Sequence, residues 1–251
     1  MRSQTLVTAI LAATWVAAPA SAQTYTNCNP LTSGTFVTEE APNEHTDTFV
    51  GSCPPDTALG KAVNIDFRSG PSDSFTASGN PTYGSNGASF TVARAGDSPL
   101  IASKWYIMFG HVEFVVKAAP GVGIVSSAIL QSDDLDEIDF EWLGYDDNNV
   151  QTNYFGKGET TTYNRGATSP APGNHDGFHT YAIDWTADQI VWSINGNTVR
   201  TLTPADTSGY PYPQTPMMIK VGSWSGGDSS NAPGTVRKSQ HASLILEAME
   251  G

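Results

Sequence analysis

The chain has 251 residues with 25 Asp+Glu against 12 Lys+Arg, a formal charge of −13, and contains 24 Gly and 16 Pro. Such an acidic surface repels polyanions, which excludes nucleic acid as a partner and leaves uncharged polymers and small molecules. The length suffices for one large β domain, and no Gly/Ser linker, repeat or low-complexity block divides it.

Residues 1–22 read as a signal peptide. Arg2 gives a positive start, Leu6 to Ala18 form an apolar run too short to cross a bilayer, and Ala20-Ser21-Ala22 offers small residues for cleavage. The mature chain is expected to begin at Gln23, to be secreted and to carry no transmembrane segment. Its two cysteines, Cys28 and Cys53, then meet an oxidising route and are expected to form a disulfide tethering an N-terminal extension, residues 23–52, to the domain. A metal or redox pair would need partner ligands that the surrounding sequence lacks.

Further along, "FGHVEFVVKAAPG" (109–121) alternates His111, Glu113 and Val115 against Val112, Phe114 and Val116, then stops at Pro120-Gly121. "GIVSSAILQS" (123–132) is mostly apolar or small, the mark of a strand covered on both faces. "VQTNYFGKG" (150–158), "FHTYAIDW" (178–185), "QIVWSING" (189–196), "NTVRTL" (197–202) and "PQTPMMIKVGSW" (213–224) supply more strands, with Asn195-Gly196 suited to a tight hairpin turn. Long helical periodicity is absent. The pattern predicts an all-β sandwich of antiparallel strands in which Trp185 and Trp192 fill the core, while Trp224, ending a strand beside Gly226-Gly227, stands in a cleft.

"DEIDFE" (136–141) sets four carboxylates in six positions. On an extended strand Glu137, Asp139 and Glu141 share one face, and Ile138, Phe140 and Trp142 the other. Three like charges in a row raise one another's pKa, a cost that glycoside hydrolysis explains: one carboxylate must be ionised and a second protonated. Positions 137 and 141 lie about 13 Å apart on an ideal strand, against about 5–5.5 Å between carboxyls for retaining chemistry and about 6.5–9.5 Å for inverting chemistry. The two Glu side chains must therefore lean together over Asp139, which adjusts their protonation; spacing alone leaves both stereochemical outcomes open. Asp133, Asp134, Asp136 and Glu137 form an acidic cluster, but without the D-x-D-x-D-G loop of a calcium site, so no metal and no cofactor is expected.

"GIVSSAILQSDDLDEIDFEWLG", followed by "QTNYFGKG", "FHTYAIDW", "VR" (199–200), "YPQTPMMIKVG" and "GT" (234–235), closely resembles the fungal cell-wall transglycosylases of the Crh type, in glycoside hydrolase family 16, from about Cys53 to Thr235. The resemblance implies a concanavalin-like β-jelly-roll sandwich with the acidic strand lining a concave cleft. It also implies retaining transfer from a chitin donor to a β-glucan or chito-oligosaccharide acceptor, by a secreted, extracellular protein of the fungal cell wall. Glu137 matches the nucleophile, Asp139 the assisting residue and Glu141 the acid/base that also contacts substrate. Lys220, Trp224 and Thr235 match sugar-contacting positions, with Asn153, Tyr154 and Lys157 as further candidates; His179 is assigned a structural role. A hydrolytic β-glucanase or chitinase and an inactive lectin-like sandwich are the other readings.

Two departures stand out. After Thr235 the family pattern continues with Glu-Trp-Ala-Gly-Gly and a further strand, whereas this chain reads "VRKSQHASLILEAMEG" (236–251). That tail looks like translated intron, and the expected consequence is a lost terminal strand, an unpaired sheet edge and a missing wall on the acceptor side. The segment between Cys28 and Cys53 is longer than the family spacing and reads as an insertion. Neither a Ser/Thr-rich stalk nor a C-terminal hydrophobic tail is present, so no lipid anchor is expected from this sequence.

Overall fold

The computed structural model describes residues 28–31, 33–41, 44–51, 53–162, 164–226 and 242–250. The signal-peptide reading, residue 163 and Thr235 lie outside them. The segment between Cys28 and Cys53 forms a hairpin of its own, β1 (Gly34–Ala41) and β2 (Glu44–Gly51), paired to each other as a two-stranded sheet. Cys28 and Cys53 close its base through a disulfide with Cα atoms 5.7 Å apart.

The strands that follow are β3 (Asn64–Asp66), β4 (Phe75–Ser78), β5 (Thr82–Gly84), β6 (Gly87–Val92) and β7 (Leu100–Ser103). Longer ones come next: β8 (Gly110–Lys117), β9 (Ile124–Ser132), β10 (Glu137–Leu143), β11 (Asn149–Phe155), β12 (Ala167–Pro170) and β13 (His179–Trp185). The series ends with β14 (Ile190–Ile194), β15 (Asn197–Leu202), β16 (Met217–Ser225) and β17 (Ala242–Glu250). One sheet runs β12-β11-β10-β9-β16-β7-β4; the other runs β15-β14-β13-β8-β17-β6-β5, with β3 also paired to β17. Consecutive strands make hairpins at β9–β10–β11 and β13–β14–β15. The contacts β9–β16 and β8–β13 join strands distant in sequence, as a jelly roll requires and a simple meander does not.

Between the sheets lies the core. Phe114, Phe140, Trp142, Tyr181, Trp185 and Trp192 are each fully buried, a contribution of about 1.5–3 kcal/mol per large apolar side chain. Tyr181 of β13 meets the rings of Phe140 and Trp142 of β10 edge-on at 5.3 and 4.7 Å, so the apolar side of the acidic strand is locked to the opposite sheet. The Asn195-Gly196 turn takes φ values of 49° and 77°, which those two residue types tolerate and most others resist.

The tail overturns the expectation of a lost strand. Residues 242–250 form β17, which runs between β8 and β6, with Leu246 opposite both Val116 and Ala88 and itself fully buried. A register shift between Leu246 and Ala248 lets the strand serve both neighbours. The physical reason is that the slot between β6 and β8 needs backbone donors and acceptors plus an apolar residue facing inward, and "SLILEAM" supplies both without matching the family's letters.

Candidate active site

β10 enters from a tightly held turn. Leu135 adopts φ 69°, and Ser132 Oγ accepts from Asp136 N at 2.8 Å and donates to Asp134 at 2.6 Å. Asp136, fully buried, accepts from Thr215 Oγ1 at 2.7 Å, Gln214 N at 2.8 Å, Lys157 N at 2.9 Å and Lys157 Nζ at 3.0 Å. Lys157 Nζ also donates to Asp134 at 2.6 Å. The acidic turn is therefore satisfied by a lysine, hydroxyls and backbone, and among the described residues no group of three or more metal-ligating side chains is gathered. Lys157, expected at the sugar, is engaged in this anchor instead.

Beyond the turn, alternation settles the faces. Glu137, Asp139 and Glu141 stand opposite Gln131, Ile129 and Ser127 of β9, and opposite Phe155, Asn153 and Gln151 of β11. β16 adds Met218, Lys220, Gly222 and Trp224 in the same rows, opposite Gln131, Ile129, Ser127 and Val125. The acidic face thus carries Asn153, Lys220 and Trp224. It does not carry Tyr154: paired with Ile138, that residue turns into the core, 2 % exposed, with its hydroxyl 3.5 Å from Thr207 O. His179 lies in the other sheet, where its ring meets Asn195 at 2.9 Å and Gly173 O at 3.3 Å.

The three carboxylates are withdrawn from water, Glu137 and Asp139 at 1 % exposure and Glu141 at 4 %, while Met218, Lys220, Trp224 and Gln151 around them are half-buried. Burial, then the charge of Asp139, pushes the Glu137 carboxyl well above its ordinary range; the Gln131 amide and the Lys220 charge pull the other way. Burial raises Asp139 to about 7, opposed by the adjacent Glu137 carboxyl, the Arg200 guanidinium and the Asn153 N–H. Burial raises Glu141 well above its ordinary value, and the charges of Asp139 and Glu137 add to the effect. Two carboxylates cannot hydrogen-bond each other, so the contact between Asp139 and Glu137 becomes a bond only when one of the two holds a proton.

Two supports escaped sequence reasoning. Trp192 of β14, foreseen only as core, donates its indole N–H to Asp139 O at 3.1 Å and fixes the backbone beneath the carboxylates. Arg200 of β15 stacks on Trp192 at 4.6 Å and donates to Thr152 O at 2.7 Å, which brings a half-buried positive charge close to Asp139. Gln131 also went unnoticed, although a polar residue ending an apolar strand beside "DEIDFE" was a visible signal.

The Asp139 shift carries a stability consequence. The unfolded chain loses this proton near 3.8 and the folded protein only near 7, so the group favours the fold below pH about 4 and that favour is lost as pH rises towards 7. Asp139→Asn should raise the melting temperature by about 3–8 °C at pH about 8 and leave it unchanged at pH about 4, as read by scanning calorimetry. Equal shifts at both pH values would contradict the assignment.

The profile of Glycosyl hydrolases family 16 matches residues 71–240, and the chain belongs to that family. It is 60% identical over 218 residues to Crh-like protein 4 of Aspergillus fumigatus, a match covering 86% of this chain and 44% of the relative. The chain thus spans about half the length of the curated relatives it matches, at 44% and 53% of the first two. Among solved structures, that of Crh5 transglycosylase in complex with NAG superposes with TM-score 0.76 at 45% identity, covering 80% of this chain and 87% of that one. The β-glucanase of Bacillus licheniformis shares the fold, with TM-score 0.66 at 22% identity over 76% of this chain and 98% of that one. Among the described residues no helix is long and apolar enough to cross a membrane.

Proposed function

We propose that this protein is a retaining transglycosylase that cuts chitin and passes the fragment to β-glucan or chitin in the fungal cell wall, outside the cell. One observation carries the reading: two glutamates on the same face of β10 sit in unlike surroundings. Glu137 accepts a hydrogen bond from the Gln131 amide at 2.6 Å and feels the Lys220 charge. Glu141 has negative neighbours in Asp139 and Glu137, and its Oε1 is buried without a donor. Burial raises both carboxyls, but only Glu137 has a donor and a cation supporting its charged form, which tilts the pair towards the division of labour that glycoside chemistry needs.

In the first half-reaction Glu137 attacks the anomeric carbon, the bond to the departing oxygen breaks, and Glu141 gives that oxygen its proton. Glu137 must be ionised at that moment, so any proton shared between it and Asp139 has to rest on Asp139. In the second half Glu141, now a carboxylate, takes a proton from an acceptor hydroxyl, whose oxygen attacks the same carbon and releases Glu137. Water competes for this step, which makes acceptor binding the determinant of outcome.

Trp224, half-buried on the acidic face, offers an apolar ring to the C–H side of a pyranose. Trp224→Ala should raise acceptor KM about tenfold and shift products from transfer towards hydrolysis. The defining experiment is incubation of chito-oligosaccharide donor with fluorescent β-glucan and chito-oligosaccharide acceptors. Elongated fluorescent hybrids support the proposal; shorter products alone mean a hydrolase, and binding without turnover means a lectin.

A further inference from the structure

Resting on the transglycosylase reading, we propose that Gln131 is a positioning residue for Glu137, locked by Lys220 so that it can only donate to that carboxylate. Gln131 faces Glu137 directly across the β9–β10 pair and is 1 % exposed. Its Nε2 donates to Glu137 Oε2 at 2.6 Å, while its Oε1 accepts from Lys220 Nζ.

A side-chain amide has two orientations, and here the alternative is barred. Flipped, Gln131 would turn its NH₂ towards an ammonium that has three donors and no acceptor, and its carbonyl oxygen towards a carboxylate. Donor would face donor and acceptor would face acceptor. Lys220 therefore selects the orientation in which Glu137 meets an N–H, and its influence reaches the carboxylate through the amide. This is a different task from the sugar contact that the family resemblance assigns to Lys220.

The neighbouring charges make that donor matter. On β10, Asp139 and Glu141 both bear carboxyls; from β15, Arg200 acts on Asp139; on β16, Lys220 itself lies within the field of Asp133 as well as Glu137. The cation behind Gln131 is thus the positive group placed to favour ionised Glu137. Oε2 is tied by a charge-assisted hydrogen bond, and the amide holds the carboxylate plane in place as Glu137 forms its bond to the sugar.

The test uses protein labelled with ¹³C at the glutamate carboxyl, titrated by NMR without substrate, with the Glu137 signal identified by its absence in Glu137→Gln. Gln131→Leu and Lys220→Met should each move the Glu137 titration to higher pH, because each removes support for the charged form. The double variant should move it by less than the sum of the two single shifts, because part of the Lys220 effect passes through the amide. Transfer kcat should fall about 10- to 100-fold in Gln131→Leu, with donor KM within about twofold.

An unmoved titration in Gln131→Leu would overturn the proposal. So would an additive Lys220→Met effect accompanied by a rise in donor KM, since Lys220 would then touch sugar independently. Should Gln131→Leu fail to fold, Gln131→Met, close in shape and without an N–H donor, takes its place, and an unmoved Glu137 titration in it would equally overturn the proposal. The titration needs no turnover, so a parent chain without transfer activity would count against the transglycosylase reading while the Gln131 result stayed readable.

Discussion

Glu137→Gln and Glu141→Gln are each expected to lower transfer from a polymeric chitin donor by at least about a thousandfold while leaving the fold intact. Each change keeps shape and removes the carboxyl chemistry, and each also removes a buried acid from a cluster where burial and like charge disfavour ionisation. Thermal stability near neutral pH should therefore stay level or rise, which separates lost chemistry from lost structure. The two variants should then part company on a donor with an activated leaving group. That departing oxygen needs no proton, so Glu141→Gln should recover bond cleavage and accumulate a glycosyl-enzyme, whereas Glu137→Gln should recover nothing. Equal recovery by both would remove the distinction between nucleophile and acid.

Deleting residues 242–251 is expected to abolish cooperative folding. β17 is bonded to β8 on one side and β6 on the other, and also pairs with β3 at Asp66, Ile65 and Asn64. Its removal would open two internal edges and uncover the core at Leu246, a loss larger than the roughly 5–15 kcal/mol that holds a typical domain together. The milder Leu246→Ala should keep the fold and cost about 2–5 kcal/mol in denaturant titration. A deletion variant that melts cooperatively within a few degrees of the parent would mean that this strand is not structural.

How much of this was legible in the sequence varies by residue. The faces of Glu137, Asp139 and Glu141 against Ile138, Phe140 and Trp142 follow from a period of two, and the sheet arrangement keeps them. Asn153 and Tyr154 show what the period alone leaves open. Which of two adjacent residues meets sugar depends on their register with β10, a long-range fact: Asn153 pairs with Asp139 and Tyr154 with Ile138. The anchoring bonds of Lys157 were hidden for a similar reason, since its partners Asp134 and Thr215 come together only when three loops meet. The tail was judged against the family's letters, although its apolar "SLILEAM" had the composition of a strand. Gln131 and Arg200 act through amide orientation and half-buried charge, which no string of residues displays.

In the proposed reaction Glu137 bonds covalently to the donor sugar while Glu141 handles the proton. Intact-mass and peptide mapping of Glu141→Gln after exposure to an activated chito-oligosaccharide donor tests it most directly. One added glycosyl group, carried by Glu137, is the expected product. A stable adduct on another residue, or rapid turnover of the activated donor by Glu137→Gln, would contradict it.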